Sequence, residues 1–123
     1  MSKFDDGLAV RKAVLGAEFV DKAIASADEF NRPLQELVTE YCWGAIWTRE
    51  GVSRRVRSML NLAMLTALNR PHELKMHVQG ALRNGVTREE IREVLLQATI
   101  YAGVPAGVDA FRVAREAMAD FKE

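Results

Sequence analysis

The residues best suited to chemistry in this chain are Glu73 and His77, which lie four positions apart. On a helix this spacing brings two side chains to one face, where a carboxylate can orient an imidazole ring and raise its basicity. His77 also falls within an apolar stripe of the helix, so we expect its ring to face protein rather than water. The stripe consists of Leu74, Val78 and Ala81. The pair is a candidate acid or base, and the alternative is an ordinary surface pair or a buried histidine without chemistry.

A second group of candidates lies upstream, where two tryptophans and four arginines fall close together. Trp43 and Trp47 share a helix face and either form the apolar wall of a site or pack as core aromatics. Arginine clamps carboxylates through two parallel hydrogen bonds, although such a cluster also suits a solvated face or an interface. Arg54 and Arg55 fall in a first helical turn, where cations are disfavoured, so an anionic ligand or an acidic partner is expected beside them. The cluster consists of Arg49, Arg54, Arg55 and Arg57.

Two further residues complete the set of titratable candidates. Tyr101, in the segment Y-A-G-V-P, either donates a hydrogen bond at a site or is an ordinary buried tyrosine. His72 is expected to be exposed, because its position on the helix turns it away from His77. A metal centre is not predicted, since Glu73 and His77 lack an evident third ligand and no H-x-x-x-H spacing occurs.

The elements that must position these residues are predicted to be helices. Apolar residues recur at helical spacing, and no alternating stretch is typical of a strand. One helix is expected over residues 54–68 with Ser53 as its N-cap, and another over residues 71–84. The capping box T-R-E-E at residues 87–90 begins a third helix, and a last one is expected over residues 108–121.

The remaining segments complete an all-α fold of six or seven helices, with a single domain over residues 1–123. A first helix is expected to end at Gly16, and Ser26 with Glu29 is expected to form a capping box. A longer helix is predicted over residues 33–47. Its apolar face is expected to consist of Leu34, Leu37, Val38, Tyr41 and Ala45.

The helix over residues 54–68 is apolar almost all round, which favours a homo-oligomer because one small domain can hardly cover such a helix. Lysine and arginine number 17 and aspartate and glutamate also 17, a balance that argues against a nucleic-acid partner. The single cysteine, Cys42, excludes an intrachain disulfide and makes a cytoplasmic location the default. No secretory signal is expected over residues 1–15, and no uncharged run is long enough to cross a bilayer, so no membrane partner is predicted.

Three motifs together resemble the 4-carboxymuconolactone decarboxylase family. They read W-G-x-I-W-T-R-x-G-V-x-R-R-x-R-S-M-L-N-L-A-M-L, then E-L-x-x-H-V-x-x-A-L-x-N-G-V-T-x-E-E-I-x-E-V-L-L-Q, and finally Y-A-G-V-P-A. The resemblance extends over nearly the whole chain. It implies an all-helical domain like that of alkylhydroperoxidase D (AhpD-like). It also implies that these domains assemble into a homo-oligomeric ring, which we expect to be a homohexamer.

The resemblance also implies an enzyme, a carboxy-lyase of protocatechuate degradation in the β-ketoadipate pathway. Its reaction would be cofactor-independent decarboxylation of 4-carboxymuconolactone, a dianionic lactone, to the β-ketoadipate enol-lactone. From the chemistry of that substrate we assign His77 as general acid or as electrophile at the lactone oxygen, with Glu73 orienting it and Tyr101 as a further donor. One or two of Arg49, Arg54 and Arg55 would bind the retained carboxylate, and Trp43 and Trp47 would form the apolar wall.

Two other functions are weighed against this one. Redox proteins of the wider AhpD-like superfamily carry C-x-x-C-x-x-x-H, and the two cysteine positions counted back from His77 are Arg70 and Glu73 here. A peroxidase-related function, which needs both thiols, is therefore disfavoured. The remaining alternative is a helical binding or assembly module without catalysis.

Overall fold

The computed structural model describes residues 2–122 and contains, within that range, seven α-helices, one π-helical segment and no β-strand. The described residues form two compact units, one ending at Val52 and the other beginning at Ser53. The all-α prediction is confirmed. The single domain predicted over residues 1–123 stays a prediction.

The first unit contains α1 (Lys3–Leu15), α2 (Ala17–Ala25), α3 (Arg32–Leu37) and the π-helix (Val38–Ile46). Gly16 ends α1 at a φ of 94°, a conformation that favours glycine, and this confirms the predicted helix end. The predicted capping box at Ser26 is wrong. Ser26 instead closes α2, with its hydroxyl donating to the Ala23 carbonyl.

The helix that begins at α3 continues as a π-helix, a feature that the sequence analysis missed. Its last turn has the Trp47 amide donating to the Cys42 carbonyl, five residues back, at 3.1 Å. Because the turn is wider than an α-turn, an α-helical wheel no longer describes which side chains share a face. The predicted apolar face is wrong at Tyr41 of the π-helix and also at Leu34 and Leu37 of α3, all of which are exposed. The buried residues of the π-helix are Thr39, Trp43 and Gly44, and Trp47 just after it is also buried.

Helix α1 packs closely against the π-helix. A Cβ atom added at Gly7 would overlap the Thr39 carbonyl oxygen and lie 2.6 Å from the Gly44 amide nitrogen. The buried Arg11 of α1 reaches the same segment, its Nη1 donating to Gln35 Oε1 at 3.0 Å and to Thr39 Oγ1 at 3.2 Å. Backbone contact and a buried guanidinium therefore join these helices.

The second unit contains α4 (Arg54–Ala67), α5 (Pro71–Arg83), α6 (Arg88–Ala102) and α7 (Val104–Asp120). Ser53 caps α4 by accepting from the Val56 amide at 3.2 Å, as predicted. The capping box of α6 is also confirmed, with Thr87 and Glu90 bonding to each other's backbone amides. Helix α7 begins earlier than predicted, since Pro105 fits a first turn that needs no amide hydrogen.

The core of the second unit lies between its four helices. Its largest side chains include Leu62 of α4, Leu74 and Val78 of α5, and Ile91 and Leu95 of α6. No helix among the described residues combines the length and apolarity that a membrane span requires.

One face of α4 takes no part in this core. Val56, Leu60, Met64 and Leu68 recur every four residues and are all exposed, Met64 by 51% and Leu68 by 61%. We call these four residues the α4 stripe. Such a run of exposed apolar side chains is typical of a surface that another protein segment covers.

Candidate active site

The candidate site lies on the surface where α4 and α5 pack, and polar side chains join the two helices there. Asn84 Nδ2 donates to Ser58 Oγ at 2.9 Å near one end of the contact. Further along, Asn61 Nδ2 lies 3.4 Å from His77 Nδ1. The buried Leu62 beside Asn61 belongs to the core cluster that fixes the two helices against each other. The imidazole is thus held by an amide from the neighbouring helix.

His77 is half-buried, as the apolar stripe of α5 predicted. Burial lowers the pKa of its imidazole from 6.5 to about 4, and the nearby Glu73 carboxylate opposes this shift only in part. The carboxylate of Glu73, also half-buried, raises the pKa of the ring, as predicted. The removal of water from the ring lowers that pKa by more. The imidazole is therefore neutral at pH 7, and it can donate a hydrogen bond without carrying a charge.

The cations of the cluster differ in their surroundings. Arg55 forms an ion pair with Glu90 of α6, so the acidic partner that its position in the first turn predicted is a residue of this chain. Arg54 is exposed and has no ion pair with any described residue. Residues 54 and 61 share a face of α4 and lie about 10 Å apart along its axis, since a helix rises about 1.5 Å per residue. Arg54 is therefore an exposed cation on the same face as the amide that contacts His77, and the half-buried Arg57, one turn before Asn61, is another.

Tyr101 occupies a different surface. It lies on α6, and its side chain is 86% exposed in the single protomer. The alternative of a buried tyrosine is therefore wrong for the protomer. Together with Arg55 it lines a cavity of about 920 Å³ between α4 and α6, whose lining does not include Glu73 or His77. The cavity walls are otherwise mostly apolar and include three residues of the α4 stripe, namely Val56, Leu60 and Met64. The second unit thus carries two separate groups of the predicted site residues.

The remaining predicted residues lie in the first unit. Trp43 and Trp47 stack with their ring centroids 4.7 Å apart and an angle of 28° between the rings, and both are at least 95% buried. Their burial fits the alternative of core aromatics, and their role as the apolar wall of a site stays a prediction. Arg49 is exposed just after them.

The sequence analysis missed Asn61. The sequence does contain a signal for it, because Asn61 is a polar amide within a stretch that carries no charge, from Ser58 to Asn69. Asn61 also lies three residues after Ser58, and therefore on the same face of the helix. No group of three or more acidic, cysteine or histidine residues suited to a metal ion occurs within residues 2–122.

Fold and site together define an all-helical protein with a neutral, half-buried imidazole held by an amide, and with an arginine on the same helical face. The chain belongs to the carboxymuconolactone decarboxylase family, whose sequence profile matches residues 32–116. It is 44% identical over 117 residues to the nitrosuccinic acid decarboxylase npaB of Metarhizium robertsii, covering 95% of this chain and 82% of the relative. It is 37% identical over 118 residues to the 4-carboxymuconolactone decarboxylase of Acinetobacter baylyi, covering 96% and 88% respectively. These relatives support an enzyme with decarboxylase activity.

Proposed function

We propose that the protein is a cofactor-independent decarboxylase of a small dianion, with 4-carboxymuconolactone as the first candidate substrate and the β-ketoadipate enol-lactone as product. This reaction belongs to protocatechuate degradation. The observation that carries the proposal is the neutral imidazole of His77, held by Asn61 beside Glu73, in a chain that aligns almost end to end with a 4-carboxymuconolactone decarboxylase. A donor of this kind suits a reaction that places negative charge on an oxygen atom.

The chemistry needs no cofactor because the substrate contains its own electron sink. When the carbon–carboxylate bond breaks and carbon dioxide leaves, the electron pair moves through the ring double bond to the lactone carbonyl oxygen. A proton, supplied in the end by water, then bonds to the carbon next to that carbonyl. The protein's task is to favour charge on the carbonyl oxygen and to hold the carboxylate that stays.

His77 is the residue that we assign to the carbonyl oxygen. A ring with a pKa of about 4 is hardly protonated at pH 7, so its role as electrophile is favoured over its role as general acid. A neutral imidazole that donates to a developing oxyanion is an established arrangement in enzymes. One such donor contributes about 10²–10³ in turnover. Glu73 orients the ring, and Arg54 on the same face as Asn61 is the first candidate for the retained carboxylate.

A second candidate substrate is nitrosuccinate, because the chain is 44% identical to a nitrosuccinic acid decarboxylase. The two substrates share a chemical pattern. Each is a dicarboxylate, and in each the electrons of the breaking bond move to an oxygen atom. In 4-carboxymuconolactone this atom belongs to the lactone carbonyl, and in nitrosuccinate it belongs to the nitro group. The same donor at His77 would serve both reactions.

The assay that tests the proposal offers the purified protein each substrate in turn, with 4-carboxymuconolactone made in the cuvette from 3-carboxy-cis,cis-muconate by a cycloisomerase. Carbon dioxide release is followed for the wild type, for His77→Ala, and for His72→Ala as the matched control. We expect His77→Ala to lose at least about a hundredfold in turnover and His72→Ala to stay near wild type. A wild-type protein inactive on both substrates would contradict the proposed function and would favour a module without catalysis.

The two remaining predicted residues of the second unit, Arg55 and Tyr101, support a separate proposal of self-association. The cavity that they line holds one arginine, already paired with Glu90, and so fits a dianion poorly. Its apolar wall continues into the α4 stripe, which suits a helix of a second copy. A homohexamer is the form that we propose.

Charged substitutions in the stripe test this assembly. We expect Leu60→Lys combined with Met64→Lys to reduce the mass measured by sedimentation, because two buried charges without partners would oppose association. Ala25→Lys in α2, also at an exposed position, is the matched control. A double variant with the wild-type mass would refute the stripe as the interface.

A further inference from the structure

We propose that Asn61 is a positioning residue that fixes the tautomer of His77, donating a hydrogen bond to Nδ1 so that the ring proton resides on Nε2. This inference rests on the proposed function for its catalytic meaning, but the tautomer itself is a property of the resting protein. The observation is the 3.4 Å between Asn61 Nδ2 and His77 Nδ1. The amide nitrogen of Asn61 faces Nδ1, and since an amide nitrogen can only donate, this contact is a hydrogen bond when Nδ1 accepts.

The packing of α4 against α5 keeps this contact in place. Leu62 follows Asn61 in the chain and is fully buried, and Leu74 and Val78 on either side of His77 are buried as well. The Asn84–Ser58 hydrogen bond joins the same two helices. Because Asn61 and His77 are themselves half-buried, water competes poorly for the ring nitrogen.

An amide at position 61 has a different effect from a carboxylate. A carboxylate would accept a hydrogen bond from Nδ1–H and would stabilise the charged ring, whereas the amide nitrogen stabilises the neutral ring with a bare Nδ1. A charged group lies one helical turn before each partner of the contact, namely Glu73 before His77 on α5 and Arg57 before Asn61 on α4. Asn61 thus offsets the tendency of Glu73 to draw a proton onto the ring.

The tautomer decides what His77 can do. With the proton on Nε2, that nitrogen has no lone pair in the ring plane, so it donates a hydrogen bond and cannot act as a base. In the proposed decarboxylation the Nε2–H is the donor to the oxygen that gains charge. Nδ1 contributes only by accepting from Asn61 and so holding the ring plane fixed.

The direct test uses protein labelled with ¹⁵N at histidine, observed by long-range ¹H–¹⁵N correlation at pH 7. His72→Gln removes the second histidine and assigns the spectrum. We expect a protonated nitrogen at Nε2 and a bare one at Nδ1 in the His77 ring. A proton on Nδ1, or rapid exchange between the two tautomers, would refute the proposal. This result needs no substrate, so it is independent of whether the proposed reaction is correct.

A pair of variants separates positioning from structural support. Asn61→Asp is expected to move the ring proton to Nδ1 and to lower kcat by about 10²–10³ with a smaller change in KM. Asn84→Ala removes a different polar link between α4 and the end of α5. It is expected to leave both the tautomer and kcat near wild type. Equal losses of kcat in the two variants, with the Nε2–H tautomer kept in both, would mean that Asn61 acts only through helix packing. If Asn61→Asp fails to fold, the wild-type spectrum still decides the proposal.

Discussion

The low pKa of His77 makes a prediction about stability that the chain can test with its own second histidine. The folded protein holds this imidazole at a pKa of about 4, whereas an unfolded chain holds it near 6.5. Below pH 6.5 the unfolded chain therefore takes up a proton that the folded protein refuses. This uptake lowers the free energy of unfolding, progressively as the pH falls from 6.5 towards 4, and the contribution is constant below that range.

The two pKa values set the size of the effect. At about 1.4 kcal/mol for each pH unit, the interval between them corresponds to about 3 kcal/mol in total. The loss is negligible at pH 7.5 and reaches about 1.4 kcal/mol at pH 5.5, a tenfold change in the unfolding equilibrium constant. At pH 5.5 most carboxylates are still ionised, so the histidine contribution can be separated from general acid unfolding.

The assay is urea unfolding at pH 7.5, 6.5 and 5.5 for the wild type, His77→Gln and His72→Gln, at one protomer concentration because association shifts apparent stability. The quantity compared is the change in unfolding free energy with pH. We expect His77→Gln to lose about 1.4 kcal/mol less than the wild type between pH 7.5 and 5.5. Replacement of His72, whose ring is exposed, is expected to leave the large wild-type loss in place. A pH dependence that is the same in His77→Gln and in the wild type would refute the argument from burial.

Two further predictions concern stability at neutral pH. Glu90→Ala removes a cap of α6 and the partner of Arg55, so we expect a loss of about 1–2 kcal/mol in urea unfolding, while the neighbouring Glu89→Ala stays within about 0.5 kcal/mol of wild type. Gly7→Ala would force a methyl group against the backbone of the π-helix, and about 1–3 kcal/mol should be lost. Gly51→Ala, where the new methyl group would meet nothing within 4 Å, serves as its control, and equal effects of the two substitutions would contradict the close approach.

The helix ends of this protein could be predicted because their causes lie within a few residues of each other. Ser53 caps α4 through an amide three residues later, and Gly16 ends α1 by its own conformation. The π-helix could not be predicted in this way, since its hydrogen-bond spacing leaves no periodic mark in nine residues. The pattern of an α-helix therefore placed Tyr41 on a buried face that the structure does not form.

The candidate site was predictable in its residue types and less so in its electrostatics. The spacing of Glu73 and His77 was sufficient to pair them, yet the net pKa of the ring depends on how much water the packing removes. Asn61 and Glu90 approach their partners across 16 and 35 residues of chain, distances at which spacing carries no information. Only the packing of α4 against its two neighbours brings these pairs together.

The contact between Gly7 and Gly44 has a consequence for how sequence variation in this protein would be read. Gly44 lies in the W-G-x-I-W motif, and a side chain there would collide with the Lys3 carbonyl. In a library of all single substitutions, positions 7 and 44 should therefore reject every residue larger than glycine under selection for folding alone, with no substrate present. Intolerance at Gly44 would then report the distance between two backbones, and it would be mistaken for a catalytic requirement in any screen that measures activity only.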